Sequence, residues 1–384
     1  MSGPLAGVTV LDFTRHLPGP YCTDVLRRLG ARVLKIEPPD GDPTRWLPPL
    51  DGELGSLFTL INGGKESVVV DLKQEEGRRF IHRLVPRCDV AVESYKPGIA
   101  ARFGIDAGTL RRIHPGLVYC SISGFGSGSG RSSHDLNFVA LAGLLDLQRD
   151  REGRPVLPST QIGDMAGALF GAMTILAALF ARQRSGEGAT LDVSMAAATR
   201  ALMPTAEALY RGMHQTPETF WLTGALPNYA IYRTRDGAWL SVAALEPQFW
   251  DAFCRAIGHP ELIPRQYDEA ARDQVAAAVA AAIREKDRDE WEAIFAGVDA
   301  CVEPVLTIDE AHARFGDPLL GSPLQKNFPA PPLEVDPLGG SFDAAAELAG
   351  LDDRETAELR RSPPFRPRNR LARFFKRTSA KLKS

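Results

Sequence analysis

A doubly wound α/β fold built on a parallel sheet is the fold class that this sequence predicts. Short apolar runs typical of buried strands alternate with segments typical of amphipathic helices. The first run, residues 8–13, leads through a Gly19-Pro20 turn into a helical segment that ends at Gly30, and the next strand is 33–37. Further strands are predicted at 67–72, 89–93 and 117–122. In such a sheet, ligands bind at the carboxyl ends of the strands.

A second and smaller α+β domain is predicted after residue 200. Two short strands, 229–233 and 239–243, are joined through Arg235-Asp236-Gly237, and Asp-Gly between apolar runs is typical of a β-hairpin. Helices are expected at about 248–257 and 273–294. The predicted order is a large Rossmann-like domain, a linker helix region, the small domain, a return through a linker to the large domain, and a tail, at 1–200, 201–224, 225–325, 326–365 and 366–384. The tail contains eight Lys and Arg residues and no acidic residue, so it is expected to be disordered.

Composition excludes several classes of protein. The formal net charge of −3 gives no basic surplus for binding nucleic acid. The five cysteines include no Cys-x-x-Cys pair, which argues against a disulfide framework and against a metal site, and favours the reducing cytoplasm. No signal peptide is expected from the first residues. Residues 165–181 carry no charge, but their glycines and alanines favour a buried core helix over insertion into a membrane.

Two titratable residues are the strongest candidates for catalysis. His134 stands beside Asp135, and Asp164 directly precedes the long apolar helix. An imidazole and a carboxylate brought together by a fold are what proton transfer at carbon requires. Asp135 is expected either to support His134 or to cap a helix. The free N–H groups at the start of the apolar helix are expected to receive an oxyanion.

Several motifs, in order along the chain, resemble CoA-transferase family III (the CaiB/BaiF superfamily), which includes the α-methylacyl-CoA racemases. The resembling segments cover roughly residues 5–310 and include 11–14, 29–37, 65–73, 93–98, 123–126, 183–188 and 232–237. The resemblance implies an interlocked homodimer. Each chain would have a Rossmann-like large domain and a small domain, and each active site would lie between domains of different subunits.

Within this family, the resemblance implies two alternative activities. Transferases use the aspartate that Asp164 matches as a nucleophile, forming an aspartyl-CoA intermediate, whereas racemases use it as a base and add a histidine on the opposite face of the substrate. The segment around His134 resembles the racemase version, and Glu246 matches the glutamate that pairs with that histidine. Racemisation of a 2-methylacyl-CoA through an enolate is therefore favoured over CoA transfer between carboxylic acids. An acyl-CoA-binding protein without activity is a third alternative.

The resemblance also implies where coenzyme A binds as part of an acyl-CoA substrate. The residues that match positions lining the CoA channel are Lys73, Ser94, Tyr95, Lys96 and Arg102. No permanently bound cofactor is expected. The turn after the first strand, residues 15–20, is not Gly-x-Gly-x-x-Gly, which argues against a nicotinamide cofactor.

Overall fold

The computed structural model describes residues 3–150, 152–316 and 334–366. The chain folds into two compact units. The first comprises Met1–Ala142, Pro158–Leu202 and Leu319–Ser384, and the second comprises Gly143–Leu157 and Met203–Pro318. All but the first residue of the predicted tail, 366–384, lies outside the described residues, so its disorder stays a prediction.

A six-stranded parallel sheet forms the centre of the first unit. Its strands are β1 Thr9–Asp12, β2 Arg32–Glu37, β5 Glu66–Val69, β6 Val90–Glu93, β7 Val118–Ser123 and β8 Thr190–Ser194. Their order is β5-β2-β1-β6-β7-β8, with β1 central between β2 and β6. A short antiparallel pair, β3 Leu50–Asp51 and β4 Leu54–Gly55, lies outside this sheet. The predicted parallel α/β architecture is confirmed.

Helices cover both faces of the sheet because successive strand residues point to opposite sides. On one face, Val10 packs in a core with Leu26 and Ile175, and on the other face Leu11 packs in a core with Phe80 and Phe342. The helices of the first unit are α1 Pro18–Arg28, α2 Ser56–Asn62, α3 Glu75–Leu84, α4 Ile99–Arg102, α5 Ala107–Ile113, α6 Asp135–Leu141, α8 Ile162–Ser185, α9 Met195–Ala201, α15 Phe342–Leu348 and α16 Asp353–Arg361.

Helix α8 is longer than the expected 165–181, with 24 residues. By length and composition it is apolar enough to cross a membrane, with a mean hydropathy of 1.7 over its most apolar window. Its small residues nevertheless pack it closely against the sheet: a Cβ at Gly171 would lie 2.9 Å from Ile122 Cδ1. One side of α8 is therefore part of the core, but only 39% of its most apolar window is buried, so the prediction of a buried core helix holds for that side alone.

The second unit contains a three-stranded antiparallel sheet of order β11-β10-β9, formed by β9 Tyr229–Arg233, β10 Trp239–Ala243 and β11 Val302–Pro304. Its helices are α7 Leu144–Leu147, α10 Pro204–Met213, α11 Pro247–Ala256, α12 Arg272–Ile283, α13 Arg288–Phe295 and α14 Ile308–Phe315. The predicted hairpin is confirmed, with Trp239 opposite Arg233. The single helix expected at 273–294 is wrong: Asp287 caps a new helix, α13, and separates it from α12.

A buried ionic network lies where β1 and β2 end. The Lys65 ammonium group contacts Asp12 Oδ2 at 3.0 Å and donates to Pro20 O and to Thr23 Oγ1. Burial opposes the charge of Asp12, but Lys65 and Lys35 outweigh it and lower the pKa of Asp12 to about 2. Burial lowers the pKa of Lys65 to about 8. The network fixes the start of the loop after β1, because Asp12 also accepts hydrogen bonds from the N–H and the hydroxyl of Thr14.

Candidate active site

One cavity of the first unit is surrounded by three strand ends and two helix starts. The loops after β1, β6 and β7 meet the first turns of α6 and α8 there. The cavity has a volume of about 430 Å³, and its lining includes both His134 and Asp164. Because the carboxyl ends of parallel strands share one edge of the sheet, the fold brings together two residues that are 30 positions apart in the sequence.

Asp135 holds the two helix starts together. Its Oδ1 accepts hydrogen bonds from the backbone N–H groups of Gly163, at 2.7 Å, and Asp164, at 2.9 Å. The close approach needs glycine at 163, because a Cβ there would lie 2.9 Å from Phe138 Cβ. Asp135 therefore caps α8 and fixes the ends of α6 and α8 that carry His134 and Asp164.

The carboxyl group of Asp164 is half-buried, and this raises its pKa to about 6. The charge of Asp135 adds to the increase, whereas His134 acts in the opposite direction. A carboxyl group with a pKa close to neutral both accepts and releases a proton under ordinary conditions, as a general acid or base requires.

The expectation that α8 offers free N–H groups to an oxyanion is wrong. The N–H groups of residues 162–165 all have partners, namely Thr160 O, the Asp135 carboxylate for the middle two, and Gln161 O. Gln161 is the N-cap residue and Asp164 is the third residue of the helix, so Asp164 does not cap it either. The Asp164 carboxylate is consequently available to the cavity.

His134 precedes α6 as its N-cap residue and is exposed. Its backbone N–H donates to Asn137 Oδ1 at 3.0 Å, and the Asn137 N–H donates to His134 O at 2.9 Å. This reciprocal pairing with the side chain and the N–H of Asn137 fixes the backbone of His134. The imidazole is therefore presented to the cavity by a rigid helix start.

A second cavity, of about 330 Å³, lies at the ends of β2, β5 and β6. Of the residues predicted to bind CoA, Lys73 lines this cavity, Ser94 and Lys96 line the first one, and Tyr95 lines both. Arg102, the last residue of α4, is exposed and lies outside the lining of both. The structure thus groups four of the five predicted residues around the two cavities.

Glu246 belongs to the second unit, where it is the exposed N-cap residue of α11. Its pairing with His134 stays a prediction. A groove larger than either cavity, about 600 Å³, lies between α15 and α16, but its lining contains no histidine and none of the predicted site residues.

Sequence reasoning missed three cationic or titratable residues of the first cavity: Arg15, His16 and Arg131. Arg15 and His16 belong to the loop after β1, and Arg131 belongs to the long loop before α6. His16 has a left-handed backbone with φ of 67°, which is uncommon for a residue with a side chain and often marks a functional loop. Their position after predicted parallel strands was the available signal.

Comparison with known proteins defines the class to which this fold and site belong. The model of CoA-transferase family III matches residues 5–317, and the chain therefore belongs to that family, as its motifs predict. A solved structure described as a CaiB/BaiF family protein from Brucella suis has a TM-score of 0.77 and 28% identity, and the match covers 91% of this chain and 100% of that one.

Individual relatives include enzymes with two different activities. Alpha-methylacyl-CoA racemase of Homo sapiens is 34% identical over 80% of this chain and 78% of its own length. Acetyl-CoA:oxalate CoA-transferase of Acetobacter aceti is 33% identical over 80% of this chain and 82% of its own length. This chain is an enzyme of the family. Its sequence identities to the racemase and to the transferase are almost the same, so they do not distinguish the two activities.

Proposed function

We propose that this enzyme racemises a 2-methylacyl-CoA by moving a proton at the carbon next to the thioester. The observation that carries the proposal is the placement of His134 and Asp164 in one cavity, on two helix starts joined by Asp135. Inversion at a carbon needs an acid and a base on opposite faces, and two groups of different type supply them.

The proposed reaction proceeds through an enolate. With one enantiomer, the Asp164 carboxylate removes the α-proton and protonated His134 returns a proton to the other face; with the other enantiomer the roles exchange. The pKa of Asp164, raised to about 6, suits both roles. Glu246 is included as the partner that orients the imidazole and stabilises its charged form, on the resemblance of its segment to racemases.

A homodimer is the second part of the proposal. The side of α8 that does not face the sheet exposes large apolar residues: Leu169 is 50%, Met173 is 54% and Phe180 is 62% exposed. An apolar stripe of this kind on one helix is typical of a surface covered by another chain. Together with the resemblance to interlocked dimers, it supports an assembly in which a second copy covers α8.

We therefore expect a mass in solution of twice 41.8 kDa. Light scattering coupled to gel filtration measures it directly, with a tenfold dilution as the control for weak association. A mass equal to that of one chain at every concentration would contradict the dimer.

CoA transfer between carboxylic acids is a second candidate, and one observation favours it. Besides Arg15, two cationic residues line the cavity of Asp164, namely Lys96 and Arg131, and neither has an ion pair among the described residues. Such groups would bind the carboxylate of a free acid. Asp164 would then attack the thioester carbonyl and release the CoA thiolate, which leaves an aspartyl anhydride. The thiolate would attack the aspartyl carbonyl of this anhydride, release the donor acid as its carboxylate and form aspartyl-CoA. The acceptor carboxylate would attack aspartyl-CoA to give a second anhydride and free thiolate, and attack of the thiolate on the acceptor's carbonyl would release the new acyl-CoA and the Asp164 carboxylate.

Incubation of a single enantiomer of 2-methylacyl-CoA, with and without added carboxylic acids, separates the two activities. Loss of enantiomeric purity without any added acid supports the racemase. Appearance of a new thioester made from the added acid, with the chirality of the starting thioester unchanged, would replace the racemase by the transferase. Hydroxylamine present during turnover would in that case modify Asp164, which peptide mass spectrometry detects.

The pH dependence of the reaction tests the electrostatic role of Asp135. Asparagine at 135 keeps an oxygen that accepts the two N–H bonds but removes the charge that raises the pKa of Asp164. As a base, Asp164 acts when deprotonated, so its activity is lost as the pH falls through its pKa. In Asp135→Asn we expect the acid limb of kcat/KM, near pH 6 in the wild type, to move to lower pH.

The measurement is kcat/KM against pH for the enantiomer on which Asp164 is the base. Asp146→Asn, which removes an exposed carboxylate of the second unit, is the matched control and should leave the limb in place. An acid limb that stays unchanged in Asp135→Asn would show that the charge of Asp135 does not act on Asp164.

A further inference from the structure

Arg15 and Tyr95 line both the cavity that contains Asp164 and the cavity that contains Lys73. The two residues therefore stand where the cavities meet. The guanidinium carbon of Arg15 lies 5.3 Å from the centre of the Tyr95 ring, and that ring packs edge-on against Phe103 at 5.6 Å. An extended ligand that occupied both cavities would pass this pair.

The backbone of Arg15 is held in place on both sides. Its own N–H donates to Ser94 Oγ at 3.1 Å, which ties the loop after β1 to the loop after β6. The preceding residue, Thr14, is fixed through its carbonyl oxygen by the buried ammonium group of Lys35 at 3.2 Å. The backbone that carries the Arg15 side chain is thus preorganised.

The charge of Arg15 is not neutralised within the part of the chain that the structure describes. No ion pair of Arg15 is present there, and its Nε is buried without a hydrogen-bond acceptor. A buried donor without an acceptor is costly, and such groups in native proteins usually have a partner of another kind. An anionic ligand between the two cavities would supply it.

We propose that Arg15 binds the diphosphate of the CoA moiety, with the thioester reaching Asp164 on one side and the adenosine lying on the side of Lys73. The inference rests on the proposed function only in that the substrate is a CoA thioester. In CoA the diphosphate stands between the adenosine and the arm that ends in the thioester, so a ligand spanning both cavities places it between them. Guanidinium groups bind phosphate oxygens in pairs, which an ammonium group does not.

The first test is calorimetric titration of wild type, Arg15→Ala and Arg15→Lys with CoA and with dephospho-CoA, which keeps the diphosphate but lacks the 3′-phosphate. For Arg15→Ala we expect Kd to rise by about tenfold to a hundredfold for both compounds, with an intermediate rise for Arg15→Lys. Arg79→Ala, which removes an exposed arginine of α3, is the matched control and should bind as the wild type does.

Two results would overturn the assignment: unchanged Kd values in Arg15→Ala, or a loss confined to CoA, which would assign Arg15 to the 3′-phosphate. Absence of CoA binding by the wild type would instead contradict the proposed function. These failures are therefore distinguishable.

The second test compares thioesters with and without the nucleotide. Arg15→Ala should lower kcat/KM for 2-methylacyl-CoA by the same factor as the binding loss and leave the value for 2-methylacyl-pantetheine within about twofold of the wild type. Equal losses with both thioesters would show that Arg15 acts on the structure or chemistry of the site rather than on the phosphates.

Discussion

Replacement of Asp164 by Asn is expected to lower the rate of racemisation by about 10²- to 10⁴-fold, the usual contribution of a general acid or base. Asparagine has the same shape, and the backbone N–H of residue 164 retains its hydrogen bond to Asp135. The variant therefore removes the proton-transfer group and leaves the start of α8 intact. Either direction of the reaction loses a base or an acid, so both enantiomers should be affected.

The measurement is the initial rate of loss of chirality for each enantiomer. Asp251→Asn, which alters an exposed carboxylate of α11, serves as the control for the substitution itself. Racemisation by Asp164→Asn within tenfold of the wild-type rate would remove Asp164 from the reaction.

The second large effect is on stability. Lys65→Met is expected to destabilise the first unit by about 3–5 kcal/mol, because the buried charge of Asp12 then loses its nearest cation and keeps only the remaining effect of Lys35. Asp12 would lose the ammonium group that lies 3.0 Å from its Oδ2, and Pro20 O and Thr23 Oγ1 would lose a donor. The loop after β1, which carries Arg15 and His16, depends on the same network.

Hydrogen–deuterium exchange of peptides that cover β1 and β2 measures the opening free energy of this region. Peptides that cover β9 and β10, in the second unit, are the internal control. The double variant Lys65→Met, Asp12→Leu should lose less than the sum of the two single losses, because no charge is then stranded. Equal exchange in Lys65→Met and the wild type would contradict the role of the pair.

The Asp12 carboxylate gives the stability of this network an acid dependence of known sign. The pKa of Asp12 is lowered in the folded chain to about 2 from 3.8. The stabilisation is therefore present above the unfolded pKa and is lost as the pH falls towards 2. In Lys65→Met, the pKa of Asp12 should rise because its nearest cation is absent, and this part of the stabilisation should be lost at a higher pH.

Most helices and strands could be predicted from short sequence patterns. The reason is that apolar runs and turn residues determine the local structure of only a few neighbouring positions. The hairpin around Asp236-Gly237 and the run of parallel strands are of this kind. The break between α12 and α13 was missed, since its helical pattern continues through a capping aspartate, Asp287.

The site was less predictable, because its contacts join distant segments. His134 and Asp164 were found from residue type and family motifs, but the bonds from residues 163 and 164 to Asp135 follow only from how α6 meets α8. Those bonds also give a partner to N–H groups that have none within the first turn of the helix itself. Arg15 has no motif of its own, and only the meeting of two strand-end loops places it between the cavities.

The central claim is that Asp164 and His134 exchange the α-proton of an acyl-CoA, and incorporation of solvent deuterium tests it most directly. Each enantiomer of 2-methylacyl-CoA is incubated in D2O with wild type, Asp164→Asn or His134→Ala, and the recovered thioester is examined by mass spectrometry. We expect one deuterium at the α-carbon with the wild type, and with each variant we expect no labelling, on the same time scale, of the enantiomer from which the replaced residue removes the proton. Unlabelled thioester after prolonged incubation with the wild type, or full labelling by both variants, would contradict it.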